Sequence, residues 1–312
     1  MSKTSLHYLF LMLRGMAMGA ADVVPGVSGG TIAFITGIYE ELINSLKSIG
    51  IKTLIIWKQQ GFASAWYSIN GNFLLSVFSG VIISMLTLAK IIDHALHHHP
   101  ILVWSFFWGL VLASIWHLYK EVKFKGLTMW AWMAFGAFVA LGVSIAKPAA
   151  LPGDWWILMI GGAVAICAMI LPGISGSFIL LLMGLYPVFI EALSTFNIVL
   201  LASFGIGCAL GLIGFSRLLS WLLKRYHNKT LALLTGFLIG SLNVIWPWKI
   251  VLETKLDRHG DLVPVVQENV LPWEYAQTLG EPSQLYIALA FALIGFASVL
   301  SIEVFSKKWE VD

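Results

Sequence analysis

The sequence predicts an all-α, polytopic membrane protein assembled from two inverted repeats, each a helical hairpin broken at Pro-Gly and followed by three transmembrane helices. Three observations carry that expectation: an apolar composition, a helix-breaking motif that occurs twice in one register, and an uneven distribution of basic residues between alternate connectors. With 59% hydrophobic and 11% charged residues in 312, and a mean hydropathy of +0.86, the chain is too apolar for a soluble domain. Residues 1–312 are therefore expected to form a single membrane domain, and length counts crossings.

The motif is Pro25-Gly26-Val27-Ser28-Gly29-Gly30-Thr31, answered by Pro172-Gly173-Ile174-Ser175-Gly176-Ser177 at an offset of 147, from Pro25 to Pro172. Gly37/Gly184 and Tyr39/Tyr186 fall in the same register. That is an internal duplication. Proline lacks an N–H and clashes with the preceding turn, so a helix arriving at Pro25 or Pro172 stops or kinks, at a cost of roughly 3 kcal/mol. Freed backbone groups in lipid are tolerated only where protein or a water-filled cavity satisfies them. A lone Pro-Gly reads as a kinked packing helix; a matched pair in the two halves points to a transport site.

Taken in order, residues 7–46 form the first hairpin, whose arms join at Pro25-Gly26, and a more polar connector with Lys47, Lys52 and Lys58 follows. Crossings are expected at 72–92, 100–119 and 128–146, each near the ~20 residues a bilayer needs. They complete the first repeat, 1–149. The second repeat, 150–312, has its hairpin at 155–193 and helices at 197–222, 230–248 and 285–305. Lys90, Gly109 and Ser114 align with Arg217, Gly236 and Ser241 at an offset of 127, from Lys90 to Arg217. Whether the hairpin arms are re-entrant or fully spanning, periodicity leaves open. Each half makes an odd number of crossings either way, so the halves are inverted.

Alternation puts thirteen cations on one face: Lys3, Arg14, Lys47, Lys52, Lys58, Lys120, Lys123, Lys125, Lys224, Arg225, Lys229, Lys307 and Lys308. The other face receives five, Lys90, Lys147, Lys249, Lys255 and Arg258, with Arg217 inside a span. Basic residues collect on the cytoplasmic side, so both termini are expected there, in a bacterial cytoplasmic membrane. Fourteen Trp, several near segment ends, fit interfacial belts. The 249–284 connector is external and acidic, either a solvated loop or a partial cap.

Helix starts after the two breaks would present N–H groups and a positive dipole end, with Gly29, Gly30 and Gly176 admitting an anion and Ser28, Thr31, Ser175 and Ser177 adding hydroxyls. A phosphate is the simplest ligand. No Walker-type lysine follows, so a nucleotide is not implied. Ionisable residues inside spans are functional candidates. Arg14 and Arg217 are candidate phosphate cations, while Asp22, Glu40 and Glu191 are candidates for proton coupling or gating. Pro25, Gly26, Pro172 and Gly173 are the structural breaks. For Lys90 and Glu41, snorkelling to the interface is the simpler account. Cys167 and Cys208 build neither a disulfide frame nor a metal cluster. His94, His97, His98 and His99 converge poorly for a metal, so no metal or cofactor is expected. The net charge of +3 needs no nucleic acid.

Arg14-Gly15, Ala21-Asp22, the two Pro-Gly motifs, Gly37 and Tyr39-Glu40 resemble the bacterial polyprenyl-phosphate transporters over essentially the whole chain. The resemblance implies a translocase returning undecaprenyl phosphate from the outer to the inner leaflet, with that lipid and the surrounding membrane as partners. A homodimer stays open. Two alternatives compete: a membrane phosphatase acting on undecaprenyl diphosphate, which needs a nucleophile beside a base, and a transporter of a small soluble anion.

Overall fold

The computed structural model describes residues 5–24, 27–123, 126–146, 149, 151–256 and 262–309. The first half runs α1 (Ser5–Val23), α2 (Gly29–Ile35), α3 (Tyr39–Ser48), α4 (Ile51–Ser68), α5 (Gly71–Thr87), α6 (Ala89–His98), α7 (Pro100–Glu121) and α8 (Leu127–Ile145). The second runs α9 (Trp155–Ile170), α10 (Gly176–Leu182), α11 (Tyr186–Ser194), α12 (Ile198–Arg225) and α13 (His227–Ser241). An antiparallel hairpin of β1 (Lys249–Leu256) and β2 (Leu262–Asn269), then α14 (Pro272–Leu279) and α15 (Leu285–Trp309), complete the chain. The protein is a multi-pass, essentially all-helical membrane protein. Among the described residues α7, α8, α12 and Leu285–Ile302 are long and apolar enough to cross a bilayer, while α4–α5 and α10–α11 are pairs bent by 55° and 106°.

Three features differ from expectation. The second arm of each hairpin is cut again, between α2 and α3 and between α10 and α11, where Gly37 (φ 73°) and Gly184 (φ 72°) adopt left-handed backbone. Apolar periodicity runs straight through such glycines, although they end helices readily. A seven-residue helix rises only about 10 Å against a hydrocarbon core of about 30 Å, so neither α2 nor α10 crosses alone. The polar connector after Lys47 contains α4, and the histidines expected on a loop lie on or just beyond α6, where His94 stacks on His98 at 3.9 Å.

The 249–284 connector, for which the sequence left a solvated loop or a partial cap open, is folded as β1, β2 and α14 and tied to the helices. Trp246 Nε1 donates to the Val270 carbonyl at 2.8 Å and Trp248 Nε1 to that of Ser283 at 2.8 Å. Asn269 Nδ2 reaches Asn243 Oδ1 at 2.9 Å, and Asn243 Nδ2 reaches Ser144 Oγ at 2.9 Å, tying the hairpin to α8 and α13. Lys249 Nζ donates to the Val244 carbonyl and lies 4.2 Å from the Trp104 ring centroid. Burial lowers that ammonium to about 8.

Helices pair through glycines that let backbones touch. A methyl on Gly15 of α1 would strike the Val77 carbonyl of α5, and one on Gly80 would strike that of Met12. The same contacts recur in the second half, Gly162 of α9 against the Phe204 carbonyl of α12 and Gly207 against that of Met159. Each residue is displaced by the offset already found in the sequence. The remaining long helices pair across the halves: Gly109 of α7 meets the Ala292 carbonyl of α15, and Gly236 of α13 meets that of Met133 in α8. Small residues at such seams are how membrane helices associate without a hydrophobic driving force between them.

Two outcomes follow. Gly80→Val and Gly207→Val, which force side chains into backbone, lower the melting temperature in detergent by several degrees, at about 1–3 kcal/mol each. Gly142→Val, where nothing lies within 4 Å, leaves it unchanged. Because the unfolded chain keeps the Lys249 proton up to about 10.4 while the folded chain releases it near 8, wild-type stability rises with pH across that window. In Lys249→Met, melting followed at pH 8 and pH 10 loses that component.

Candidate functional site

The two breaks meet. Ser28 Oγ donates to the Met169 carbonyl at 2.9 Å, Gly173 N–H donates to Thr31 Oγ1 at 3.1 Å, and Tyr39 Oη donates to the Ile170 carbonyl at 3.1 Å. Each bond spans more than 130 residues and joins the start of α2 or α3 to the last residues of α9 and the turn after it. They satisfy backbone groups that Pro172 and Gly173 release from a helix in apolar surroundings. Gly30 is required for the approach, since a Cβ there would lie 2.5 Å from the Ile170 carbonyl oxygen. Gly173 (φ 83°) has left-handed backbone packed against α13, where an added Cβ would lie 3.0 Å from Ser241 Oγ.

Expected as open amides, the Gly29 and Gly30 N–H groups are both occupied. Gly29 N–H donates to Asp22 Oδ1 at 2.7 Å, and Gly30 N–H to Ser28 Oγ at 3.1 Å. The acceptor at the start of α2 is thus the protein's own Asp22 carboxyl group. Ser28 is 0% and Thr31 1% exposed, so their hydroxyls act as stitches between the breaks and do not open onto a cavity. The second half differs at this point because Met169 stands where Asp22 stands in the first. Ser175 Oγ caps α10, accepting from Phe178 N–H, and lies 3.0 Å from Ser177 Oγ. Ser175 and Gly176 are buried, and Ser177 is the exposed residue of this turn.

Arg14 is half-buried on α1, two turns before Asp22. Arg217 is not brought to the breaks: its guanidinium lies beside Gly50, at the α3–α4 junction. Glu40 faces His227 at 3.6 Å, and Glu191 is exposed near the end of α11. Pro172 is buried; Pro25 and Gly26 lie outside the described residues. Tyr39, noted in the sequence only for its register with Tyr186, proves to be a bond across the junction, whereas Tyr186 is 39% exposed.

A family model described as undecaprenyl phosphate translocase-like matches residues 18–263. The chain belongs to that family. The chain is similar to a polyprenyl-phosphate transporter of Vibrio cholerae serotype O1, 47% identical over 308 residues, covering 99% of this chain and all of the relative. A polyprenyl-phosphate transporter of Staphylococcus aureus is 32% identical over 257 residues, covering 76% of this chain and 85% of the relative. No solved structure matches. The matched region of this translocase-like chain contains both breaks and every helix that meets them from α2 to α13.

Thr31→Val deprives the buried Gly173 N–H of its acceptor and costs about 1–3 kcal/mol, read as a lowered melting temperature. Ser64→Ala, at an exposed hydroxyl on α4 that bonds only its own helix, leaves that temperature in place.

Proposed function

We propose that this chain is a transporter of polyprenyl phosphate that moves undecaprenyl phosphate from the outer to the inner leaflet of the bacterial cytoplasmic membrane. The observation that carries the reading is the near end-to-end match to a relative named for polyprenyl-phosphate transport. The junction of two broken helices within an apolar bundle supports it, because such a junction can shelter a compact anionic head while a long tail stays in lipid. The halves are inverted, both termini face the cytoplasm, and the breaks enter from opposite sides.

In this reading the phosphate meets the junction at the exposed Ser177, next to Ser175 and Gly176, and Arg14 offsets its charge. The first break, closed by Asp22, acts as the fixed wall. A proton on Asp22 would weaken its bond to Gly29, loosening the α1–α2 turn, and this is where transport is coupled to protons. Glu40 and Glu191 flank the two hairpins as gating carboxylates. The relatives' names favour a transporter over a phosphatase, and the Ser28 hydroxyl is committed to a backbone carbonyl.

Liposomes carrying fluorescent undecaprenyl phosphate test this. Wild type accelerates exchange between leaflets, and Arg14→Ala and Asp22→Asn each slow it about tenfold, the scale of one charged hydrogen bond. Equal exchange with and without wild-type protein contradicts the function; equal exchange by wild type and the two variants contradicts the assigned residues.

A further inference from the structure

Where the folded 249–284 connector meets α7 and the end of α13, it leaves a cavity of about 390 Å³, within the ~300–1,000 Å³ range of small-molecule sites. Its walls are largely aromatic and apolar. Trp108 of α7 and Trp246, just past α13, border it with ring centroids 5.9 Å apart and planes at 78°, so two half-buried indoles form a corner. Asn243 and Asn269 line it as well, and Glu274, an exposed residue of α14, completes it.

The hydrogen-bonding capacity left over is chiefly that of acceptors. Trp246 Nε1 is spent on the Val270 carbonyl, and Asn269 Nδ2 on the carbonyl and the side chain of Asn243. Asn243 Nδ2 gives a hydrogen to Ser144 Oγ, and the Trp108 Nε1–H is itself buried. By contrast, Asn269 Oδ1 accepts nothing among the described residues, and Glu274 takes the Leu271 N–H with Oε2 while Oε1 stays unused. Among the described residues that border the cavity, Glu274 is the single charged group. An anion would meet that carboxylate with no cation beside it. The connector carries six acidic residues against three lysines and arginines, so its field draws cations toward this end of the bundle.

The neighbouring turn of α7 shows what such a wall can hold. Trp104, four residues before Trp108 and so on the same helix face, has the Lys249 ammonium 4.2 Å from its ring centroid. There the cation comes from the chain, whereas Trp108 meets the cavity. We propose that this cavity binds an organic ammonium cation, a primary or quaternary amine held against the Trp108 and Trp246 rings with Glu274 as its counter-ion. An indole face attracts a cation through its quadrupole, and a primary amine adds a hydrogen bond to Asn269 Oδ1. A zwitterionic lipid headgroup and a soluble amine both offer this chemistry. Ser241, two residues before Asn243, packs against Gly173 of the second break. An occupant therefore joins the connector to the helix end that backs that break.

The test uses the full chain in an uncharged detergent, titrated with choline and with dimethylbutanol, its uncharged carbon isostere, and followed by ligand-observed NMR. Choline binds, and dimethylbutanol binds about tenfold more weakly. Trp108→Leu weakens choline binding about tenfold. Glu274→Gln weakens it about threefold, and glutamine keeps the bond that starts α14. Glu268→Gln, at an exposed carboxylate of β2 that does not border the cavity, matches wild type. If Trp108→Leu fails to fold, Trp108→Phe, which keeps a weaker π face, binds choline about threefold more weakly. Phosphatidylethanolamine that displaces choline where phosphatidylglycerol does not assigns the site to a lipid headgroup; choline binding indifferent to both lipids assigns it to a soluble amine. Equal binding of choline and dimethylbutanol overturns the proposal, as do unchanged affinity in the Trp108 and Glu274 variants, an equal loss in Glu268→Gln, or displacement by both lipids alike.

Discussion

A helix broken inside a membrane leaves amide and carbonyl groups that must find partners within the protein. Here the first break supplies partners to the second. Thr31 takes the Gly173 N–H, and Ser28 and Tyr39 take the Met169 and Ile170 carbonyls that precede Pro172. Leaving any of these groups unpaired in apolar surroundings would cost on the order of a few kcal/mol, so the second break depends on the first. The placement of α2 against α9, and hence of one half against the other, follows from that need.

The glycine seams serve the same arrangement at longer range. Backbone contact at Gly15 and Gly80 fixes α1 on α5, and the same contact at Gly162 and Gly207 fixes α9 on α12. The exchange of α7 and α13 onto α15 and α8 then clamps the halves together. The two halves nonetheless differ where chemistry resides. Asp22 closes one break, and Met169 stands at its counterpart. Duplication supplied the scaffold, and single substitutions made its two ends unlike.

Much of this was legible in the chain. Proline, glycine and serine at matched positions announce the breaks because their backbone preferences are local, and the two offsets, 147 from Pro25 to Pro172 and 127 from Lys90 to Arg217, together already encoded the recurring glycine contacts. The second interruption at Gly37 and Gly184 was harder to see, because neither glycine disturbs the apolar pattern. Periodicity shows which residues share a face but not which helix lies opposite. Lys47 therefore read as a connector charge until the fold set it against Ser220, 173 residues away. Asp22 was visible as a membrane carboxylate, yet its bond to Gly29 depends on a turn that Pro25 and Gly26 alone do not specify.

Electron cryomicroscopy of the chain in nanodiscs containing undecaprenyl phosphate would address the central claim most directly. Headgroup density at the Ser175–Ser177 turn, with the Ser28–Met169 and Thr31–Gly173 bonds intact, is the predicted result. Breaks lying apart, or joined but sealed from every lipid headgroup by packed aliphatic side chains, would contradict it.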